Sequence, residues 1–466
     1  MDRSFDAIIV GAGQAGPSLA GRLSQAGWTV ALVERDLLGG TCVNVGCTPT
    51  KAMVASARAV YMASRGAAYG FDCGPIRVDL RRVKERKDAI VAASRGSLTS
   101  WLNGMPGCTV LHGSASFEAA NRLRVGDTVL TAPHIFLNVG ARPRTPDFPG
   151  VDSVPFLTSS TILDLEEAPE HLIVVGGGFV GLEFAQMFRR FGSQVTVVER
   201  GSRLLGHEDD DACEGVREAL EAEGVAFRLQ AECIALARRD GQIVVHVSCD
   251  SGSPEVTGSH VLLAVGRVPN TDSLALEKAG LAVSRQGFLE TDEQLRTAVP
   301  GIWALGDCNG RGAFTHTSYN DFEIVAANLL DGEPRRVTDR IPVSALYIDP
   351  PLARVGMNER QVRAAGRAAF IGIRPMTRVG RAVEKGETRG FIKVLVDAGT
   401  EEILGATILG TGADEAIHCI LTAMYAHQTA SLLRHSVHIH PTVAELIPTV
   451  FGELKPLAAA QAATRP

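Results

Sequence analysis

The sequence has few cysteines, no long hydrophobic run and no excess of basic residues. Its nine cysteines among 466 residues are an odd, sparse set, unlike the dense even sets of disulfide-stapled secreted domains. No stretch of about eighteen uninterrupted apolar residues occurs, and residues 1–30 lack the order of a secretory leader. These absences predict a soluble cytoplasmic protein that does not contact a membrane and keeps most of its thiols reduced.

The charge balance of the chain argues against a nucleic-acid partner. A formal charge of −6, with both signs mixed along the chain, leaves no basic face for a nucleic acid. The 466 residues are enough for about three domains, each able to bury its own core. Small-molecule chemistry is therefore the favoured class of function.

A glycine-rich turn near the start follows a short apolar run, Ala7–Val10. Gly11, Gly13 and Gly16 lead into a helical stretch, and a second apolar run ends at Glu34. In such a βαβ unit the first glycine permits a tight turn, the second lets backbone approach a pyrophosphate and the third lets the helix pack on the strand. The helix N-terminus then faces the phosphates, so the pattern predicts a dinucleotide site.

The same pattern returns in the middle of the chain. An apolar run at 172–175 leads into Gly176, Gly178 and Gly181, and the following strand pattern ends at Glu199. One such fingerprint is weak evidence, but two that both close on an acid about 20 residues further on are strong evidence. The sequence therefore predicts two dinucleotide-binding units.

The closing acids bear on which nucleotides bind. The carboxylates of Glu34 and Glu199 can each accept a hydrogen bond from a ribose 2′-hydroxyl. At Glu199 a 2′-phosphate would meet a like charge, which favours NADH over NADPH. Arg200 and Arg203 follow closely enough to weaken that preference, so NADPH stays the alternative.

Two cysteines, Cys42 and Cys47, follow the first unit within a glycine-flanked segment at 39–51. Pro49 indicates that a helix begins close to them. A helix N-terminus stabilises a thiolate, which lowers the pKa of the cysteine and makes it a nucleophile or electron donor near neutral pH. An arbitrary pair is more often structural, but the flanking glycines and the place directly after a dinucleotide fold favour redox chemistry.

Together these motifs resemble the pyridine nucleotide-disulfide oxidoreductase family, which includes dihydrolipoamide dehydrogenase, glutathione reductase and mercuric reductase. The similarity extends over nearly the whole chain in the family's order, and the cysteine motif differs from the family pattern only at Thr48 and Thr50. The resemblance implies FAD on the first fingerprint and NAD(P)H on the second. It also implies a redox-active Cys42–Cys47 disulfide, with Cys47 as the flavin-side charge-transfer thiolate and Cys42 as the interchange thiol.

Further segments resemble the family residue by residue. The segment 297–308 resembles its second FAD motif, in which Asp307 would hold the ribityl chain. Gly266 opens a turn that resembles the family's link between the dinucleotide domains, on the NAD(P)H side. Lys51 and Glu183 match an ion pair that lies beside the flavin in relatives, although by composition alone either could be an ordinary surface charge.

A histidine near the C-terminus completes the expected site. The carboxylate of Glu445 could accept a hydrogen bond from the imidazole of His440, which would fix its tautomer and raise its basicity. The resemblance makes His440 the acid/base for the thiols and leaves His438 structural. In relatives this histidine reaches the cysteines of the other subunit, so the resemblance implies a homodimer with shared active sites.

The predicted fold is α/β, with two Rossmann-like dinucleotide-binding domains and a C-terminal α+β dimerisation domain. In the last of these, strand patterns at 391–396 and 403–408 precede an apolar helix pattern at 413–427. The Ala-rich segment after Pro456 is expected to be a loosely held tail. The expected boundaries are 1–146 for the first part of the FAD domain, 147–266 for the NAD(P) domain, 267–338 for the second part of the FAD domain and 339–466 for the interface domain.

The electron acceptor stays open between a small disulfide and a metal ion. Segments 311–322 and 375–388 resemble the mercuric-reductase-like branch, which includes reductases linked to reactive-chlorine and copper stress. The C-terminus lacks the vicinal cysteine pair of mercuric reductases, so mercury detoxification is not expected. No metal site is predicted, because the remaining cysteines lack metal-ligand spacing. These are Cys73, Cys108, Cys213, Cys233, Cys249, Cys308 and Cys419.

Two alternatives accompany this hypothesis. The enzymatic one is a dihydrolipoamide dehydrogenase that serves a multienzyme complex. The other is a flavin-based redox sensor, whose cysteine pair would switch a partner interface. A sensor needs an oxidisable thiol but no positioned base, so the pairing of His440 with Glu445 argues against it.

Overall fold

The computed structural model describes residues 2–232, 234–247 and 253–458. Cys233, Cys249 and most of the Ala-rich segment after Pro456 lie outside the described residues. In the ranges that are described, no helix combines the length and apolar character needed to cross a bilayer. The α-helices are α1 Ala15–Gln25, α2 Gly40–Asn44, α3 Cys47–Ser64, α4 Leu80–Asn103, α5 Phe179–Arg190, α6 Asp210–Glu221, α7 Thr315–Ala326, α8 Glu359–Ala364, α9 Gly380–Glu384, α10 Ala413–Tyr425, α11 Ala430–Arg434 and α12 Ile447–Gly452.

The first fingerprint lies on a five-stranded parallel sheet. Its strands, in spatial order, are Ile302–Ala304, His134–Leu137, Ala7–Val10, Val30–Glu34 and Cys108–His112. Helices α1 and α7 pack on one face. The other face carries a four-stranded sheet of Asp2–Ser4, Thr128–Thr131, Arg122–Val125 and Ala115–Ala119. Because both faces are covered, the central strands are continuous apolar runs.

The second fingerprint lies on a separate parallel sheet. Its strands, in spatial order, are Val225–Arg228, Gln194–Val198, His171–Val175 and His260–Leu263. A three-stranded antiparallel sheet of Ala235–Arg239, Gln242–His246 and Glu255–Gly258 packs on it. A two-stranded link, Ala141–Pro143 with Arg267–Pro269, joins the two dinucleotide-binding units. The chain then returns to the first sheet through its edge strand.

The C-terminal domain is built on a six-stranded antiparallel sheet. Its strands, in spatial order, are Val343–Leu346, Leu352–Gly356, Ile403–Leu409, Phe391–Asp397, Ala369–Pro375 and Lys455–Pro456. Helices α10, α11 and α12 cover it with apolar side chains. The predicted fold class, two Rossmann-like units and a C-terminal α+β domain, is confirmed.

Two element boundaries differ from the sequence prediction. The apolar run that ends at Glu34 starts at Trp28 in the sequence, but its strand begins at Val30, because the backbone N–H of Thr29 donates to the Asp6 carboxylate at 2.8 Å instead of joining the sheet. The helix expected to reach residue 427 ends at Tyr425. His427 has a φ of 51°, a left-handed conformation that cannot continue a right-handed helix.

The domains pack against one another through buried side chains. One hydrophobic cluster includes Met53 of α3, Phe184 of α5 and Leu346 of the C-terminal sheet, all at most 1% exposed. A polar cluster adds to it, since the ammonium of Lys393 is 1% exposed and donates to Asp209 and Glu359 at 2.9 and 2.8 Å. Helix α3, which begins at Cys47, is thereby fixed against both neighbouring domains.

The glycines of the second fingerprint allow a matched test of this packing. A Cβ on Gly181 would overlap the carbonyl oxygen of Gly176, whereas a Cβ on Gly178 would meet nothing within 4 Å. We expect Gly181→Ala to lower the free energy of unfolding by about 1–3 kcal/mol, because backbone atoms must shift. Gly178→Ala should change it by less than about 0.5 kcal/mol. Urea unfolding followed by circular dichroism measures both, and equal costs would contradict the close packing.

Candidate active site

The first glycine loop is braced by its closing acid. Gly11 has a φ of +107°, and a Cβ there would overlap the carbonyl oxygen of Asn138 on the neighbouring strand. The Glu34 carboxylate accepts a hydrogen bond from the backbone N–H of Ala12 at 2.8 Å. The Asn138 side chain in turn donates to Gly11 O at 3.1 Å. The loop is therefore held open at the carboxyl ends of the strands, where a pyrophosphate would lie.

The second loop repeats this arrangement. Gly176 has a φ of +116°. The Glu199 carboxylate accepts hydrogen bonds from the backbone N–H groups of Gly177 at 2.6 Å and Gly201 at 2.7 Å. Gly178 has free space where a side chain would stand. Both closing acids thus hold their own loops, a role that the sequence analysis did not assign to them.

A cleft of about 980 Å³ runs between the domains. Its lining combines the first fingerprint, the cysteine segment, the first turns of α5, the N-terminus of α7 and the C-terminal strand Val343–Leu346. The predicted site residues that line it are Gly11, Gly13, Glu34, Cys42, Cys47, Lys51, Glu183 and Asp307. Within the described ranges, those that do not line it are Gly16, Gly176, Gly178, Gly181, Glu199, Gly266, His440 and Glu445.

The cysteine pair lies where two short helices meet. Cys42 is on α2, and Cys47 is the first residue of α3, as the position of Pro49 predicts. Both are free thiols in this structure. A hydrogen bond from Cys42 lowers the pKa of Cys47 to about 6, with help from the Thr315 hydroxyl and the Lys51 charge. The same hydrogen bond, together with burial, raises the pKa of Cys42, so the two sulfurs divide into a thiol and a thiolate.

An ion pair lies in the cleft beside the cysteine segment. The ammonium of Lys51 contacts the Glu183 carboxylate at 2.7 Å, and the Glu183 side chain is 7% exposed. The backbone N–H of Tyr347 donates to the second Glu183 oxygen at 3.0 Å, and the Lys51 ammonium lies 4.6 Å from the centre of the Tyr347 ring. Helix α5 carries Glu183 into the cleft from the second fingerprint, so one helix joins the two sites.

A second charged pair lies towards the first fingerprint. The Arg267 guanidinium and the Asp307 carboxylate approach to 3.7 Å. Burial raises the pKa of Asp307, and the Arg267 charge opposes that rise. The Nε atom of Arg267 is buried and has no hydrogen-bond partner among the described residues. This pair therefore offers both a donor and an acceptor to a polar ligand in the cleft.

The histidine pair lies at the surface. His440 Nδ1 and Glu445 Oε2 are 2.8 Å apart, and the His440 side chain is 81% exposed. Its neighbours Val437 and Ile439 are 98% and 80% exposed. His438, by contrast, has Nδ1 at 2.6 Å from the carbonyl oxygen of Ala444, which suits a structural role. Within one chain, the structure does not bring His440 into the cleft that the cysteines line.

Sequence and structure comparisons decide the family. The family model described as pyridine nucleotide-disulphide oxidoreductase matches residues 5–321, and the model of the family's dimerisation domain matches residues 342–451. The chain belongs to this family. A member of it is an FAD-dependent oxidoreductase that transfers electrons between a nicotinamide and a redox-active disulfide, and its C-terminal domain forms a homodimer.

The oxidoreductase has relatives in several branches of the family. It is 36% identical to the probable pyridine nucleotide-disulfide oxidoreductase RclA of Escherichia coli, over 97% of this chain and 99% of that protein. It is 34% identical to a mercuric reductase of Streptomyces lividans, over 95% and 94% of the chains. It is 35% identical to dihydrolipoyl dehydrogenase 3 of Pseudomonas aeruginosa, over 96% and 97%. The Cu(II) complex of the HOCl-induced flavoprotein disulfide reductase RclA superposes with a TM-score of 0.88 at 35% identity, over 97% and 99%.

The FAD that this family carries fits the cleft of the oxidoreductase. Gly13, the second glycine of the first loop, lines the cleft, and a Cβ there would meet its nearest atom, Asn138 Nδ2, only at 3.4 Å. Its backbone is therefore open to the close approach of a pyrophosphate. The guanidinium of Arg267 and the partly buried carboxylate of Asp307 also line the cleft and supply polar groups further along. Gly11, Gly13, Glu34 and Asp307 are the residues that would hold FAD. The open space at Gly178 suits the nicotinamide dinucleotide in the same way.

Sequence reasoning missed several residues of this oxidoreductase's cleft. Thr315 and Arg267 fall in segments that resemble the family, but neither received a role. Asn138 carried a usable signal, a polar side chain at the carboxyl end of a buried strand. Tyr347 carried none, since only the packing of the C-terminal domain brings it to Lys51. An acidic group with metal-like spacing, Asp209 with Asp211 and Glu359, is bound by the Lys393 ammonium.

The Lys51–Glu183 pair gives a direct test of the Cys47 thiolate. The Lys51 charge favours the thiolate and the Glu183 charge opposes it. Lys51→Met removes the first and leaves the second unpaired, so we expect the pKa of Cys47 to rise by about one unit. The pH dependence of Cys47 alkylation by iodoacetamide, read by peptide mass spectrometry in reduced FAD-loaded enzyme, measures it. Lys278→Met is the control, because this lysine is exposed and does not line the cleft. An unchanged Cys47 profile in Lys51→Met would contradict the electrostatic assignment.

Proposed function

We propose that this chain is an NADH-dependent flavoprotein reductase whose Cys42–Cys47 dithiol reduces a thiol-reactive acceptor, with Cu(II) and small disulfides as the first candidates. The observation that carries the proposal is the unequal thiol pair in the cleft. Cys47 is held as a thiolate beside Lys51, and Cys42 keeps its proton. A pair of that kind has one sulfur suited to contact the flavin and one suited to attack a substrate.

The reaction divides between the two sulfurs. FAD, when bound, supplies the two-electron link between nicotinamide and sulfur. Those electrons break the Cys42–Cys47 bond, after which Cys47 stays a thiolate and Cys42 takes a proton. His440 of the partner subunit then removes that proton as Cys42 attacks the acceptor, and Glu445 fixes the tautomer of the imidazole.

The two candidate acceptors differ in the number of molecules that one NADH reduces. One NADH and two Cu(II) give NAD⁺, one proton and two Cu(I). One NADH, one proton and a disulfide give NAD⁺ and two thiols. The superposition on a Cu(II) complex of RclA supports copper as a candidate here, and the low pKa of Cys47 supports both.

We infer a preference for NADH from the second fingerprint. The Glu199 carboxylate lies at the end of its strand and would repel a 2′-phosphate. Arg203, which could offset that repulsion, is paired with Asp210 and also donates to Gly206 O. The preference for NADH therefore rests on the charge around the 2′ position of the ribose.

We also propose that the protein works in the cytoplasm. Thiolate chemistry in a chain with few cysteines suits a reducing compartment.

A dihydrolipoamide dehydrogenase is the second candidate function. Its support is the 35% identity to dihydrolipoyl dehydrogenase 3, which extends over 97% of that protein. The same dithiol would then run in the opposite direction, from dihydrolipoamide to NAD⁺. A redox sensor has less support, because the 2.8 Å contact between His440 and Glu445 positions a base that a switch does not need.

Anaerobic oxidation of NADH and NADPH against Cu(II), glutathione disulfide, lipoamide and Hg(II) tests the proposed function. We expect turnover with Cu(II) or a disulfide and a higher kcat/KM for NADH. Cys42→Ser should lower turnover by about 100-fold or more, because the attacking sulfur is lost, while flavin reduction by NADH persists. Rapid turnover with lipoamide alone would replace the proposal with the second candidate. Flavin reduction without any acceptor turnover would favour the sensor.

Shared active sites can be tested with mixed dimers. Each site would need Cys42 from one subunit and His440 from the other, so Cys42→Ser and His440→Ala homodimers should both be inactive. A heterodimer of one Cys42→Ser subunit and one His440→Ala subunit keeps one intact site out of two, because the intact Cys42 of the second subunit meets the intact His440 of the first. Random mixing should therefore restore about a quarter of the wild-type activity. Co-expressed chains with different tags provide the heterodimer, and no recovery in the purified heterodimer would contradict sharing.

A further inference from the structure

The Thr315 hydroxyl contacts the sulfur of Cys47 from outside the cysteine segment. Its Oγ1 lies 3.1 Å from Cys47 Sγ. A thiolate has no proton to donate, so the threonine hydroxyl is the donor. We propose that Thr315 keeps Cys47 ionised while Cys42 is bonded to the acceptor, so that Cys47 can complete the reaction as the second nucleophile. This inference rests on the proposed function, in which Cys42 attacks first.

The position of Thr315 comes from the start of α7. Thr315 is the first residue of that helix, and Cys47 is the first residue of α3, so two helix N-termini converge on one sulfur. Both helices exceed two turns, and each contributes a partial positive charge at this end. The sulfur therefore receives a directed hydrogen bond in addition to the field of both helices.

Contacts on both sides of Thr315 hold its backbone in place. Thr317 Oγ1 donates to Phe314 O at 2.7 Å and accepts from Phe314 N at 3.2 Å, which closes the first turn of α7. The His316 ring lies 3.2 Å from Val343 O and stacks on Phe314 with ring centres 5.1 Å apart. The turn is tied to the C-terminal sheet, so the threonine side chain is presented to Cys47 by a rigid segment.

The remaining groups around Cys47 cannot take over this role. Lys51 on α3 favours the thiolate by its charge, but its hydrogen bond goes to Glu183 on α5 at 2.7 Å. Arg267 of the interdomain link approaches Asp307 at 3.7 Å and donates to Ala141 O, so its contacts among the described residues also lie away from Cys47. The Tyr347 phenol, next to the C-terminal strand Val343–Leu346, has a pKa raised by burial and is uncharged. His316, on the same helix as Thr315, has a pKa lowered by burial. In the proposed dimer, His440 of the partner subunit is the remaining titratable group near Cys47.

The Thr315 hydroxyl is needed at one step of the proposed reaction, when Cys42 can no longer donate a hydrogen bond to Cys47. At rest, Cys47 accepts hydrogen bonds from both Cys42 and Thr315. With a disulfide acceptor, Cys42 loses its proton, its sulfur bonds to one half of the acceptor and the first thiolate leaves. Cys42 then has no S–H to donate. Cys47 must next attack the Cys42 sulfur as a thiolate, which expels the second thiolate and restores the Cys42–Cys47 disulfide. In that interval Thr315 is the remaining side-chain donor to Cys47 among the contacts of the described residues.

Cys42→Ala reproduces the state in which Cys42 has no proton to donate. We would compare Thr315, Thr315→Val and Thr315→Ser in this background and in the enzyme that retains Cys42, each loaded with FAD and reduced. The pH dependence of iodoacetamide alkylation at Cys47, read from its peptide by mass spectrometry, gives the pKa in each case. Thr315→Val conserves shape and removes the donor, and Thr315→Ser restores the donor.

We expect Thr315→Val to raise the pKa of Cys47 by about one to two units in the Cys42→Ala background and by less when Cys42 is present. Thr315→Ser should return it to within about half a unit of the threonine enzyme, which a merely structural residue would not do. Steady-state turnover with a disulfide should fall about tenfold in Thr315→Val, mainly in kcat.

Equal Cys47 profiles for Thr315 and Thr315→Val in the Cys42→Ala background would overturn the role of Thr315 alone. A Cys47 that titrates near the ordinary thiol value of about 8.5 in the enzyme without substitutions would overturn the thiolate assignment of the proposed function as well. Bound FAD content and circular dichroism establish folding. Should Thr315→Val fail to fold, Thr315→Ala carries the same comparison, because it also removes the donor.

Discussion

The hydrogen bond between Cys42 and Cys47 is the interaction on which the rest of the site depends. Hydrogen bonding from Cys42 lowers the pKa of Cys47, and the same bond together with burial raises the pKa of Cys42, so a chemically symmetric pair becomes a thiolate and a thiol. The helix N-terminus at Cys47 and the Lys51 charge act in the same direction. Without that asymmetry neither sulfur would be suited to a single partner.

The domain architecture serves to hold this pair at a junction. Helix α3 begins at Cys47 and continues between the second dinucleotide-binding unit and the C-terminal domain. Along it, Lys51 pairs with Glu183 and Arg58 pairs with both Asp349 and Glu387. The shared hydrophobic cluster excludes water from the same region. A residue at the start of α3 is therefore positioned by all three units at once, as proton and electron transfer between fixed groups requires.

The exposed C-terminal segment has a consequence for assembly. His440 is held by Glu445 but lies at the surface, with Val437 and Ile439 almost fully exposed beside it. Exposed apolar side chains of this size on a dimerisation domain are suited to burial against a second subunit. The placement explains how a positioned base can be absent from the cleft of its own chain and still take part in the proposed chemistry.

The sequence by itself determined the fold class, the two fingerprints, the cysteine pair and the family, because each rests on local rules of spacing that glycine, proline and strand periodicity obey. Only the tertiary structure decided which of these residues meet. It placed Tyr347 against Lys51 and Thr315 against Cys47, pairs separated by 296 and 268 positions. It also placed His440 away from the cleft. Such contacts depend on how the domains pack against one another, and a local pattern along one chain carries no record of that packing.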